Sequence, residues 1–456
     1  MIIILHTPLI SFVLRDAHAR HISPLNTTTV SQGRNLAILS ATLVIVMLGF
    51  GIAIPLTPFY VIHFNASGTA LGLMMALYSL MQFVFAPVWG RLSDRVGRKP
   101  VLLIGIVGFA LSFLLQGLAQ NLIQFMLVRT LAGILSSATL PTAMAYVADT
   151  TTAENRAKGV GMLGAAMGVG MIFGPMLGGF LTHVNPQLPA WIGSLLQVTT
   201  DPSTGQTINL SIPFFGSALL ALLAVPFVIF MLPESLPPHK RVRHAVKGES
   251  RMGLLVAAVK GPMGLLFVLA FLLAFSLAMM EAVLALYGKE RFVMGPSQIG
   301  LLMGALGIIS VIQQGVMIGP LTRRFGEERV IQWGLVIGIL GFAAMALAPT
   351  RTLFIGATLF FNVGNMLLQP SVTSLISRRA REGQGAVMGI NQSFQSLGRG
   401  VGPLWAGMAF DIYATLAFWT GALVQAIALI YTLRGLITTE VVIPQETTPQ
   451  EASTQA

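Results

Sequence analysis

Long apolar runs separated by short polar gaps make up most of this chain. Twelve runs stand out, at 36–59, 71–89, 101–119, 122–147, 158–182, 213–232, 263–287, 299–319, 330–348, 352–376, 386–410 and 412–434. An α-helix needs about 20 apolar residues to cross the hydrocarbon core of a bilayer, and each run is near that length. The pattern predicts an all-α integral membrane protein with twelve transmembrane helices, numbered here as spans 1 to 12.

The polar gaps are not alike. Those at 90–100, 149–158, 233–262, 319–330 and 377–385 hold four, two, six, three and three Lys or Arg residues, whereas the gaps on the other face hold only Lys289, Arg291 and Arg351. Basic residues are retained on the cytoplasmic side of a membrane. The asymmetry therefore places the first set of loops and both termini in the cytoplasm, with the chain in the cell (inner) membrane.

Composition agrees with this reading. The chain is 54% hydrophobic and 9% charged, against about 25% charged residues in soluble domains. The net charge of +11 sits in the short loops, as a membrane protein requires, so no nucleic-acid partner is expected. There is no Cys, which excludes disulfides and thiol-ligated metal. The seven His residues show no paired spacing within a span, so no metal site and no cofactor are expected. No G-x4-G-K-[ST] phosphate loop occurs, which excludes a P-loop ATP-driven pump.

The chain also repeats itself. GRLSDRVGRKPVLLIG at 90–105 aligns with GPLTRRFGEERVIQWG at 319–334, and the segment at 158–179 aligns with that at 386–407. The two offsets differ by one residue, which argues for a duplicated half. The expected organisation is an N-terminal cytoplasmic extension (1–35), a six-helix bundle (36–232), a cytoplasmic linker (233–262), a second pseudo-symmetric six-helix bundle (263–434) and a cytoplasmic tail (435–456). In the second copy Arg323 stands where the first has Asp94.

Three motifs carry chemistry. The basic hairpin at 90–100 contains Gly90, Asp94, Arg95, Gly97, Arg98 and Lys99. Its pattern G-x-L-x-D-R-x-G-R-K resembles the loop between helices 2 and 3 of the major facilitator superfamily, whose fold is two six-helix halves related by parallel repeats. Span 5 carries Gly170-x3-Gly174-Pro175-x2-Gly178-Gly179. Small residues four apart let a neighbouring backbone approach, and Pro175 removes one helix hydrogen bond. The whole string resembles the signature of the proton-coupled drug antiporters within that superfamily, a group that includes tetracycline and multidrug exporters. Span 4 carries Arg129 followed by Gly133, similar to the superfamily's proton-linked motif; snorkelling to the interface is the alternative for this Arg. The resemblance further implies that Asp149 pairs with the hairpin around Asp94 as part of a cytoplasmic gate, and that such a bridge breaks when the cavity opens inward.

Glu281 is the one acid well inside a span. Apolar neighbours there disfavour the carboxylate, so Glu281 is a candidate proton carrier, with Arg129 as its partner in proton coupling; a purely structural role is the alternative. The resemblance implies that spans 1, 4, 7 and 10 line a central cavity. Asn362, Asn365 and Gln369 in span 10 share one helix face, as do Gln392, Gln395 and Arg399 in span 11. The amides suit a substrate cavity or interhelical hydrogen bonding equally. The expected function is proton-coupled export of small amphipathic compounds by a monomeric secondary transporter rather than an enzyme. Its partners would be the substrate, protons and the lipid bilayer. The alternative on the same fold is export or symport of a metabolite, sugar or siderophore.

Overall fold

The computed structural model describes residues 25–186, 189–238, 241, 251–379 and 384–434. The expected tail at 435–456, most of the expected extension at 1–35 and part of the linker lie outside the described residues. The first pass is α1 (Leu25–Ala53) and α2 (Thr57–His63), so helix begins inside the expected extension. It breaks at 54–56, where Pro55 has no N–H to donate, and restarts with Pro58 in the first turn, where a donor is not needed. There follow α3 (Gly68–Val96), α4 (Arg98–Gly117), α5 (Leu122–Ser136), α6 (Thr139–Thr150) and α7 (Ala153–Leu181). Strands β1 (Val198–Thr200) and β2 (Thr207–Asn209) form an antiparallel hairpin before α8 (Ser211–Pro226).

The second half holds α9 (Arg251–Lys260), α10 (Gly264–Phe292), α11 (Pro296–Ile312), α12 (Ile318–Phe325), α13 (Glu327–Leu347), α14 (Arg351–Arg379), α15 (Gln384–Ile412) and α16 (Leu416–Leu433). Among the described residues, eleven passes are long and apolar enough to cross a membrane. The remaining predicted span is α15, equally long but carrying Asn391, Gln392, Gln395 and Arg399 along its length. The fold is all-α and integral to the membrane.

The hairpin at 90–100, expected as a loop, is almost entirely helical. Helix α3 continues to Val96 and α4 starts at Arg98, leaving Gly97 alone between them at φ +112°. A side chain rarely adopts that conformation, so one glycine makes the whole turn. Gly326, at φ +80°, makes the equivalent turn between α12 and α13. Charged residues lower hydropathy without breaking a helix, which is why the polar gap looked longer than the turn.

Each half is pinned at its far end by an aromatic cluster. In the first, Tyr60 stacks on Phe125 at 4.7 Å and meets Phe214 and Phe64 edge-on. In the second, Tyr287 meets Phe418 edge-on at 5.0 Å and also contacts Phe292 and Phe354. Such pairs prefer edge-on or offset geometry. Tyr60, Phe64 and Phe125 correspond to Tyr287, Phe292 and Phe354 through the repeat.

The two halves meet at the end that carries the β-hairpin and part at the end that carries the basic turns. At the hairpin end, α3 packs on α15: Asp411 accepts hydrogen bonds from the N–H groups of Gly68 (2.7 Å) and Thr69 (2.8 Å) and from the Thr69 hydroxyl. There too α7 packs on α11, and the Ser297 hydroxyl donates to the Gly179 carbonyl at 2.9 Å. Asp201 of the β-hairpin loop lies against Gly295. Toward the basic end the same helices separate. The space beside Gly90 of α3, Gly389 of α15, and Gly161, Gly164 and Gly168 of α7 is empty. A cavity between the halves therefore opens at the basic end.

Candidate functional site

The cavity is lined on the second half by α14 and α15. A pocket of about 540 Å³ lies between Gln369, Pro370, Thr373, Ser374 and Ser377 of α14 and Met388, Asn391, Gln392 and Gln395 of α15. Three of the five expected amides, Gln369, Gln392 and Gln395, are thus on its wall. The other two are packed inside the half. Asn362 donates to the Leu306 carbonyl (3.0 Å) and to Ser310 (3.2 Å) of α11, and Asn365 is fully buried. The three span 10 amides do share a helix face, but α11 covers part of it, and that neighbour could not be read from spacing. The pocket also includes Asn391, Thr373, Ser374 and Ser377, which sequence reading did not select. The Asn391 side-chain oxygen is buried with no hydrogen-bond partner among the described residues.

Glu281 occupies an unusual position on α10. From Ala278 to Gly288 every other residue is buried, whereas Glu281 is exposed. It lies deep among the helices and not at their outer surface, so the space it opens onto is internal. Arg399 of α15 is likewise exposed and enclosed, and each residue feels the charge of the other. They are not within ion-pair distance: the ion pairs among the described residues include neither.

Arg129 is placed differently from the cavity-wall position implied by the resemblance. It is 5% exposed, inside the first half. Its guanidinium lies over the Tyr78 ring at 4.7 Å and donates to Gln116 at 3.3 Å, while its Nε has no partner among the described residues. Tyr78 is held in turn by Ser136 and Gln82. Burial against an aromatic face satisfies a cation without a carboxylate, so Arg129 does not snorkel. Gly133, one turn on, lets α3 approach: an added Cβ would stand 2.6 Å from the Tyr78 carbonyl. No contact joins Arg129 to Glu281 among the described residues.

The span 5 motif divides its work. Gly170, Gly174 and Gly178 face α1, where a Cβ on Gly174 would stand 2.6 Å from the Gly51 Cα. Gly179 faces Ser297 and Pro296 of the other half, and the Pro175 carbonyl lies against Gly300 of α11. Helix α7 runs through Pro175 without interruption.

At the basic end, Arg98 is the centre of a local network. Its side chain donates to Asp149 at 2.9 Å, to Ser93 at 2.7 Å and to Asp94. Its backbone N–H donates to Glu234 at 2.8 Å, and so does that of Lys99 at 3.2 Å. Lys99 also reaches the Ile229 carbonyl at 2.7 Å, which lies in the π-turn Phe227–Met231 at the end of α8. Ser93 in turn donates to the Gly90 carbonyl at 2.7 Å, whereas no hydrogen bond or ion pair joins Arg95 to this network among the described residues. Apart from Glu234, at the start of the linker, these residues belong to the first half, so the Asp149 bridge is formed while the halves stand apart here. Opening of the cavity at the basic end therefore leaves this bridge intact, against the expectation that opening there breaks it.

Comparison with known proteins agrees with this architecture. The model of the Major Facilitator Superfamily matches residues 39–403. Multidrug resistance protein 1 of Bacillus subtilis (strain 168) is 31% identical over 87% of this chain and 95% of its own length. The class C tetracycline resistance protein of Escherichia coli is 29% identical over 84% of this chain and 94% of its own. Among solved structures, the nucleoside transporter NupG superposes with a TM-score of 0.68 at 14% identity, covering 89% of this chain and 99% of that one.

Proposed function

The chain belongs to the Major Facilitator Superfamily, and from that premise we propose that this multi-pass membrane protein is a proton-coupled exporter of small amphipathic compounds. One observation carries the proposal: Glu281 is the single exposed residue in a buried stretch of α10, and in this reading it opens onto the cavity between the halves. An ionisable group kept inside a membrane span is expensive unless it has a use. The resistance functions named for the two relatives support export of drug-like molecules.

In this reading the basic end faces the cytoplasm, by the retention of Lys and Arg on that side, and both termini lie there in the inner membrane. The structure is then inward-open. Substrate enters from the cytoplasm between α14 and α15 and meets Glu281 at the deep end of the cavity. Rocking of the halves closes the basic end and opens the hairpin end, where Glu281 exchanges substrate for a proton from outside. Return to the inward-open state delivers that proton to the cytoplasm. One elementary charge crossing 100 mV gains about 2.3 kcal/mol, enough for roughly a 50-fold gradient of a neutral compound. Arg129 acts within the first half, holding α5 to α3 through Tyr78 and to α4 through Gln116.

Inverted vesicles with an acidified lumen and a luminal pH dye test this. Addition of a transported compound should draw protons out of the lumen, and Glu281→Gln, which imitates the protonated carboxyl, should abolish that signal and weaken binding of a cationic substrate to the purified, folded protein. Coupling that survives in Glu281→Gln removes Glu281 as carrier. A wild-type chain that binds drugs yet moves no protons with any of them overturns antiport in favour of another transport mode.

A further inference from the structure

The cavity holds a second charge that this exchange does not use. Arg399 stands four residues beyond Gln395 and seven beyond Gln392 on α15, so it continues the pocket-lining face toward the deep end of the cavity. Its neighbours show which way that face points. Gly398 and Gly402 sit tight against α10, where added Cβ atoms would stand 2.5 Å from the Phe271 carbonyl and 2.6 Å from the Phe275 carbonyl. Pro403 and Gly407, further round the helix, pack on Gly72 and Gly68 of α3. Arg399 lies between these two contact faces, at the seam where α10, α15 and α3 surround the open space. Gly402 also approaches the Met279 N–H, which sets this part of α15 level with Glu281.

A guanidinium stays charged at any accessible pH, and inside a span it normally pairs with an acid. The described ion pairs leave Arg399 out, and the acid it faces, Glu281, stands across a gap. The gap is therefore bounded by two opposite charges, both exposed to the cavity, with the amides of Gln392 and Gln395 leading to it.

We propose that Arg399 is a specificity-determining residue of this cavity, binding an anionic group on the transported molecule while Glu281 faces its cationic end. The substrate class is then a zwitterionic amphipathic compound, preferred over a purely cationic one of the same shape. The planar fork of a guanidinium suits a carboxylate or similar acid better than a point charge does. This rests on the cavity being the substrate site, but not on proton coupling.

The test uses purified full-length protein and two dyes that share one body. Rhodamine B carries a carboxylate beside its cationic xanthene, and its methyl ester keeps the cation alone. Binding is read by fluorescence polarisation without any pH gradient, so failure of coupling through Glu281 and failure of this proposal are separable. Wild-type protein should bind the acid more tightly than the ester. Arg399→Gln should weaken the acid roughly 10- to 100-fold, as loss of a charged hydrogen bond does, while leaving the ester unchanged or tighter. Arg399→Lys should keep a reduced preference for the acid, and it carries the test if the Gln variant does not survive purification. Equal weakening of both dyes makes Arg399 structural and overturns the proposal. So does an unchanged acid-to-ester ratio, or wild-type protein that takes only the ester or neither dye.

Discussion

The two copies of the basic-end turn keep one geometry and reverse its charges. In the first, Arg98 at the start of α4 pairs with Asp149 at the end of α6. In the second, Glu327 at the start of α13 pairs with Arg378 at the end of α14, at 2.8 Å. The residues correspond through the repeat, so the contact has been kept and its sign inverted. The second copy suits its helices: an acid at a helix start and a base at a helix end both interact favourably with the backbone dipole. The first copy opposes both. It compensates with Glu234, whose carboxylate accepts the first N–H groups of α4. A pair can thus be inherited by position while the charges are chosen by what surrounds it, and the poorer choice has acquired an extra acid.

The largest expected effect comes from reversing the buried cation. Arg98→Glu sets a carboxylate against Asp94, Asp149 and Glu234, at about 3–5 kcal/mol, and should abolish recovery of folded protein on size-exclusion chromatography. Adding Asp149→Arg gives the first copy the signs of the second. Recovery should be partial, because Asp94 and Glu234 still face position 98; full recovery would show that sign is free in this half too.

Next in size is the turn glycine. Gly97→Ala combines a positive φ with a Cβ set against the Glu234 carboxylate, worth about 3 kcal/mol. Gly326→Ala meets open space and should cost only about 1–2 kcal/mol. Equal shifts in Tm for the two would mean that the Glu234 contact contributes nothing. Removing that acid by Glu234→Ala should cost about 1–2 kcal/mol. The smallest effect is expected for Arg378→Ala, below about 1 kcal/mol, since that side chain is 70% exposed and exposed ion pairs contribute little.

Much of this was legible in the sequence, because membrane spans and a duplicated half leave long-range patterns. The offset between Gly97 and Gly326 alone locates both turns, and Glu281 declared itself by being an acid among Met and Leu. The reversed pair and three members of each aromatic cluster lie at nearly the same offset, yet single residues in a chain with 27 Phe form no visible pattern until their contacts are seen. Arg129 was harder. Nothing in span 4 says that Tyr78, fifty-one positions earlier, will roof it. Asn362 and Gln369 differ only in whether α11 or open space faces them, and one helix cannot report what its neighbours do. Arg399 was visible as part of a stripe, but its want of a close acid became evident only in three dimensions.

The clasp between Asp411 and the start of α3 has a consequence for heredity. Its donors at Gly68 and Thr69 are mostly backbone N–H groups, which every codon except those for proline supplies. Lineages can drift at most positions of the first half without touching it. Its vulnerable points are few: the codon for Asp411, and that for Gly68, where any side chain would meet the carboxylate. Suppressors of a lesion at Asp411 should therefore be rare in α3, and selection for them should return changes elsewhere at the same end, in the α7–α11 contact.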